Sequence, residues 1–393
     1  MKITSVRVFT PNLAKISALK ASKQQDKPDN AQDLSWISET VIANPMSIYP
    51  EYFERRSSWL WVSEEVIVQI ETDEGVTGIG TCPGGAAAAS LIKQHLSRFL
   101  IGQNPFQVER LWDILFKTSL PYGRKGLPIM AISAIDLALW DCISKARNEP
   151  LYQSLGGQVK DKVHAYVTGN DYSRTKELGY YGQKLAMPYG PASGYEGMHK
   201  NAELVRRTRE ALGPDIEIMC DCYMAWDVHY TIRMAEMLAP YRVKWIEECL
   251  PPDDYEGYGI INRTITSTAV ATGEHEYTRY GFRQLLNVRG AEILQPDICW
   301  CGGLTEAKKI CAMASADHLT VIPHAGGIQP WALHLVFATP NIPLAEYFIG
   351  ADPTEDPIFE VWNVPVNGWF HLPQAPGAGI HIRESAYELL NEH

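Results

Sequence analysis

Six ionisable residues in the second half of the chain, Asp221, Glu247, Glu274, Asp297, His324 and Glu346, have the types and spacing for chemistry. Each lies at or near the end of a short β-rich run: IEIMCDC (216–222), VKWIEEC (243–249), VATGEHE (270–276), AEILQPDI (291–298), LTVIPHA (319–325) and PLAEYF (343–348). The steps between them are 26, 27, 23, 27 and 22 residues. Eight β/α units take about 250 residues, so each step is close to one unit and each residue is expected to project from a neighbouring strand into one mouth. Asp221, Glu247 and Glu274 then bring three carboxylates together. Unpaired, they repel and raise one another's pKa. A hard divalent cation removes that conflict, and an all-oxygen set suits Mg²⁺ rather than Zn²⁺. One such acid alone reads as a loop cap or a solvated charge; three at consecutive strand ends read as a metal site. Side chains alternate along a strand, so only one of Glu247 and Glu248 faces the mouth, and alternation alone does not say which. His324 follows the run LTVIP, and Asp297 one strand earlier is placed to accept its Nδ1–H and raise the basicity of Nε2.

The elements that must position these residues follow from the hydrophobic pattern. Residues 2–9 alternate as a strand, and residues 64–81 read as a β-hairpin turning at Asp73-Glu74-Gly75. Helical spacing follows over 86–101, 107–117 and 129–146, the last apolar enough to be buried. Residues 1–125 thus read as an α+β unit. Two further β-rich runs, VHAYVTGN (163–170) and GQKLAMP (182–188), precede the six above and complete eight strands with helices between them. A TIM-type barrel over 126–350 is the economical architecture. The Pro-rich segment 351–393 is expected to return to the N-terminal unit. Residues 21–34 are polar and aperiodic, and read as a mobile loop able to close over the site. Gly78 and Gly80 do not make a dinucleotide loop, because the third glycine is misplaced.

Composition narrows the class. The 393 residues are 46% hydrophobic and 21% charged, which is globular usage. Lys plus Arg number 35 against 46 Asp plus Glu, a net charge of −11. That balance argues against nucleic acid or an anionic membrane as the main partner. No apolar run is expected to reach the roughly 20 residues of a membrane span, and the N-terminus lacks a signal-peptide core, so a cytoplasmic protein is expected. Eight cysteines are too few for a disulfide scaffold. The pairs Cys220/Cys222 and Cys299/Cys301 lack zinc-type spacing and histidine partners, and read as buried thiols.

Several stretches together resemble a known family: YEGMHKN (195–201), KWIEECLPPDDYEGY (244–258), GEHEYTRYGFR (273–283), QPDICWCGGLTEA (295–307), VIPH (321–324) and AEYF (345–348). NPMSIYPEYFERR (44–56), EGVTG (74–78) and IDLALWD (135–141) fit the same pattern. The chain resembles the enolase superfamily, in its mandelate racemase-like branch of acid-sugar dehydratases, and within it the rhamnonate dehydratase group. The resemblance implies an α/β fold: a modified (β/α)7β TIM-type barrel with an α+β capping domain. It implies Mg²⁺ on Asp221, Glu247 and Glu274, leaving Glu248 to a structural hydrogen bond, with the Asp297–His324 dyad as base. Glu346 is then expected near the substrate carboxylate or its enediolate. The activity implied is dehydration of an aldonate, with removal of the C2 proton and syn loss of the C3 hydroxyl to give a 2-keto-3-deoxy acid. The family is usually oligomeric, so a homo-oligomer, dimer to octamer, is expected.

Departures from the family pattern are as informative. Many members carry Lys-x-Lys at the end of the second barrel strand; here the run is Lys184-Leu185-Ala186. With the second lysine missing, racemisation by two opposed bases is not expected. Lys184 reads either as a substrate contact or as a surface cation. The capping-domain arginine of the rhamnonate dehydratases corresponds to Arg56, whereas their loop histidine is replaced near Ser35, which opens the identity of the sugar. Arg56, Lys184 and His275, with Trp36 and Tyr122, are the expected substrate contacts beside Glu346. An epimerase or cycloisomerase on the same scaffold would need Lys184 as a second base. A non-catalytic homologue would not need the metal and dyad residues intact.

Overall fold

The computed structural model describes residues 1–23, 35–59, 65–351, 355–361 and 363–393. The N-terminal strand β1 (Ile3–Pro11) is followed by helices α1 (Leu13–Lys23) and α2 (Ser35–Glu39). Residues 21–23, expected in a loop, continue α1, because LAKISALKASK is rich in good helix formers. Residues 24–34 of that loop lie outside the described residues. Strands β2 (Val66–Thr72) and β3 (Thr77–Cys82) form the expected hairpin, with Gly75 at φ +75° in the turn. The C-terminal strand Leu390–Glu392 pairs antiparallel with β1, Phe9 opposite Glu392, so the last residues close a four-stranded sheet with the first.

Helices α3 (Gly85–Leu91) and α5 (Leu127–Ala146) pack on this sheet, and α4 (Val108–Ser119) packs on α5. Strand β3 lies hard against α5. A Cβ at Gly78 would fall 2.0 Å from the Ala138 carbonyl oxygen, and one at Gly80 2.1 Å from that of Ala134. The two glycines therefore let a strand approach a helix backbone. Gly80→Ala is expected to cost about 1–3 kcal/mol in urea unfolding, the range for overpacking a well-packed contact. Unchanged stability would show that β3 can lift off α5.

At 20 residues α5 is long and apolar enough to cross a membrane, which corrects the expectation that no apolar run reaches that length. Its most apolar window is 83% buried inside the protein, and it is a core helix. Two acids are locked within it. Asp136 accepts from the Thr305 amide at 2.9 Å and hydroxyl at 2.6 Å. Asp141 accepts from the amides of Ile79 (2.9 Å) and Ala378 (2.8 Å) and from Lys145 (2.7 Å), tying β3, α5 and the C-terminal segment together.

After the short helix α6 (Leu151–Ser154) all eight expected barrel strands are present: β4 (Lys162–Thr168), β5 (Gly182–Ala186), β6 (Glu217–Asp221), β7 (Trp245–Glu247), β8 (Ala269–Thr272), β9 (Ile293–Leu294), β10 (Thr320–Val321) and β11 (Leu344–Phe348). They pair in parallel, in the order β10-β9-β8-β7-β6-β5-β4-β11, as a modified TIM-type barrel. Helices α7 (Gly194–Leu212), α8 (Val228–Leu238), α9 (Tyr255–Thr264), α10 (Thr278–Val288), α11 (Gly303–Ala316) and α12 (Pro330–Ala338) make the crossovers from β5 onward. The first crossover, residues 170–181, consists of turns. Inward side chains of Tyr166, Met219, Trp245, Ile293, Ile322 and Leu344 pack together as the apolar floor of the barrel. All eight cysteines are buried free thiols.

Candidate active site

Parallel pairing sets the site. Asp221 on β6 is in register with Glu247 on β7, and Glu247 with Ala271 on β8, so Glu274 stands on the turn just beyond β8. One ligand atom from each of Asp221, Glu247 and Glu274 lies within 4.8 Å of the others, and among the described residues this is the group that could hold a metal ion. The backbone at these strand ends adopts left-handed conformations in residues other than glycine: Tyr223 (φ 45°), Met224 (58°), Glu248 (49°) and Ala325 (53°). Such strain persists where surrounding contacts over-determine it, and it clusters at functional sites.

Glu248 turns away from the cluster and accepts from the Thr272 hydroxyl (2.6 Å), the Gly273 amide (3.0 Å) and His275 Nδ1 (2.9 Å). Glu247 turns inward. Its Oε2 accepts from Trp245 Nε1 (2.9 Å) and Gln295 Nε2 (2.7 Å), and its Oε1 from Lys184 Nζ (2.5 Å). Burial, then the neighbouring charges of Asp221 and Glu346, push the Glu247 carboxyl up against the pull of Lys184. Burial likewise raises Glu274, with Asp221 and Glu248 adding to it. Carboxylates thus outnumber the single lysine ammonium among them, and a hard divalent cation fits this donor set.

Opposite the cluster, His324 Nδ1 is 2.7 Å from Asp297 Oδ2 and His324 Nε2 is 3.4 Å from Glu274 Oε1. Asp297 also accepts from the Cys299 amide (2.7 Å) and Gln329 Nε2 (3.0 and 3.1 Å), which fixes its carboxylate. Glu346 is fully buried and holds the Thr168 hydroxyl (2.5 Å), the Ala325 amide (2.7 Å) and Lys184 Nζ (2.7 Å). It thereby fixes the peptide next to His324. Ala186, in register with Asp221, presents only a methyl group where a second base would stand.

The other expected contacts divide. His275 sits between the rings of Tyr223 and Trp300, at 5.5 and 5.0 Å between centroids. The Arg56 guanidinium lies 4.1 Å above the Tyr223 ring, reaching the barrel mouth from the N-terminal unit. Lys184 is not a surface cation; its side chain is 1% exposed, which corrects that reading. The alternating strand aims it into the barrel, where buried carboxylates hold it. Tyr122 is not gathered with the others: its hydroxyl is 2.6 Å from His95 Nδ1, within the N-terminal unit. Helix α2 begins at Ser35, and the side chains of Ser35 and Trp36 lie outside the described residues.

Sequence reasoning missed Trp245, Gln295, Thr168 and Gln329. The first two stand two residues before Glu247 and Asp297, and a period of two puts such residues on one face, so that signal was present. Trp300 and Phe348 flank His324, with centroids 6.1 and 6.0 Å away, and nothing in local spacing marked them.

Comparison with known proteins agrees with this geometry. Residues 172–386 match the family of enolase C-terminal domain-like barrels, and residues 60–156 match the mandelate racemase / muconate lactonizing enzyme N-terminal domain. The chain is 43% identical over 390 residues to an L-rhamnonate dehydratase of Saccharopolyspora erythraea, covering 97% of each. The crystal structure of L-rhamnonate dehydratase from Gibberella zeae superposes with a TM-score of 0.90 at 38% identity, over 100% of this chain and 96% of that one. A structure of the Gibberella zeae enzyme complexed with Mg matches with a TM-score of 0.90 at 37% identity, over the same shares of the two chains. By sequence and by architecture, the chain belongs to the enolase superfamily, in its mandelate racemase / muconate lactonizing enzyme family.

Proposed function

We propose that this chain is a Mg²⁺-dependent acid-sugar dehydratase similar to rhamnonate dehydratase, acting on an aldonate as a cytoplasmic homo-oligomer. In this reading residues 126–350 are the catalytic barrel, and residues 1–125 with 351–393 are its cap. The observation that carries it is the Asp297–His324 pair facing the Asp221, Glu247 and Glu274 carboxylates, with Ala186 at the β5 end and Lys184 of the same strand tied up by Glu247 and Glu346.

Asp221, Glu247 and Glu274 would hold Mg²⁺, which would supply Lewis-acid stabilisation of the charge that develops on the substrate carboxylate, worth several kcal/mol. Asp297 accepts from Nδ1–H and leaves the Nε2 lone pair of His324 as the base. Nε2 takes the C2 proton. The imidazolium, stabilised by Asp297, then donates that proton to the departing C3 hydroxyl on the same face, and water leaves. The resulting enol tautomerises to the 2-keto-3-deoxy acid. Arg56 and His275 contact the substrate at the rim, and Glu346 holds the Ala325 peptide so that His324 keeps its aim. The direct test is incubation with Mg²⁺ and an acid-sugar library including L-rhamnonate, followed by semicarbazide detection of 2-keto acids. No keto acid from any member would overturn the reading.

The base works only when neutral, so kcat/KM is expected to rise with pH through the His324 pKa. Burial pulls that pKa down, but the carboxylates of Glu274, Asp297 and Glu346 outweigh burial and hold it at about 10. A cation on Glu274 removes the largest of these attractions, so the acid limb of the loaded enzyme lies below that value. Asp297→Asn removes another and should move the limb to still lower pH while reducing kcat. A limb that stays in place would show that Asp297 does not tune the base.

A further inference from the structure

Lys184 occupies an unusual place for a lysine. Its ammonium lies 2.5 Å from Glu247 Oε1, 2.7 Å from Glu346 Oε1 and 3.5 Å from Asp221 Oδ2, in the barrel interior. Two of those three carboxylates belong to the cluster assigned to Mg²⁺. Glu247 has no spare oxygen: Oε2 takes Trp245 and Gln295, and Oε1 takes Lys184. A cation arriving on Glu247 must share its oxygens with the ammonium or displace it. Two cations on one buried carboxylate repel, and the repulsion is strong where water does not screen it. Without the metal, the same ammonium compensates carboxylates whose burial unpaired is costly. The second acceptor, Glu346, gives the ammonium a place to stay when Glu247 turns to the metal.

We propose that Lys184 is an internal counter-cation of the metal site, a positioning residue that keeps the ligand carboxylates folded in place before Mg²⁺ binds and weakens Mg²⁺ once it does. The proposal rests on the reading of Asp221, Glu247 and Glu274 as metal ligands. It makes a prediction opposite in sign to ordinary structural damage. Removing the charge should destabilise the metal-free protein and yet tighten its hold on the metal.

The test measures thermal unfolding in EDTA and in saturating MgCl₂, with Mg²⁺ affinity by calorimetry, for the full chain and for Lys184→Met and Lys184→Gln. In EDTA both variants should melt about 5–10 °C below wild type, the scale of a broken buried ion pair in a large domain. In saturating Mg²⁺ the gap should narrow, and the Mg²⁺ Kd should fall by about tenfold or more. Lys184→Arg, which keeps the charge, should stay near wild type in both measurements. Equal destabilisation of Met and Gln variants with and without Mg²⁺, or a Kd that is unchanged or weaker, overturns the proposal, as does failure of both to fold even with Mg²⁺. If wild type binds Mg²⁺ and the variants bind it no tighter, the counter-cation inference alone fails. A wild-type chain that takes up no Mg²⁺ sinks the metal assignment, and the inference with it.

Discussion

His324→Asn is expected to lower kcat by at least about 10²–10⁴-fold, the usual contribution of a general acid–base group. The expectation is at the upper end because the single imidazole serves both steps, removing the C2 proton and then protonating the leaving hydroxyl. Among the described residues the geometry offers no substitute. Ala186 carries no functional group at the β5 end, Lys184 is held among carboxylates inside the barrel, and His275 Nδ1 is committed to Glu248. Asparagine keeps a polar group near Asp297, so the fold and the metal cluster should survive. The check is kcat together with exchange of the C2 proton into D₂O, at Mg²⁺ saturation. Near-normal turnover, or exchange that persists at the wild-type rate, would mean that another group removes the proton.

Removing the metal should have an effect at least as large. EDTA should abolish turnover and added Mg²⁺ should restore it. Glu274→Gln should keep the fold and reduce Mg²⁺ occupancy, because a neutral amide replaces one of three anionic donors. Glu274 suits this test because it stands beyond the end of β8, where fewer strand contacts depend on it than on Glu247. Metal analysis and circular dichroism separate lost metal from lost fold. Full activity in metal-free protein would remove the Lewis acid from the account.

Much of this was legible in the residues themselves. Ionisable residues recurring one β/α unit apart placed Asp221, Glu247, Glu274, Asp297, His324 and Glu346 around one mouth, and the structure brings all six there. The alternating hydrophobic runs gave eight strands, although β9 and β10 shrink to two paired residues each. What stayed hidden was long-range. Local pattern says which way Lys184 points, but not that three carboxylates from other strands await it. The Gly78/Gly80 pair is explained only when α5 arrives against it from 54 or more residues along the chain. The span-length apolar run in α5 is explained by its place between sheet and barrel. Rim contacts from loops were least legible, since a loop residue such as Tyr122 carries no periodicity to aim it.

Turnover of a C2-deuterated aldonate, followed by ¹H NMR in ordinary water with Mg²⁺, tests the central claim most directly. The account predicts that deuterium leaves C2 in step with formation of the 2-keto-3-deoxy acid, and that the residual substrate keeps its C2 configuration. Accumulation of the C2 epimer would contradict it, because a planar enediolate can be protonated on its second face only by a second acid–base group, and among the described residues Ala186 stands at the β5 end where one is needed.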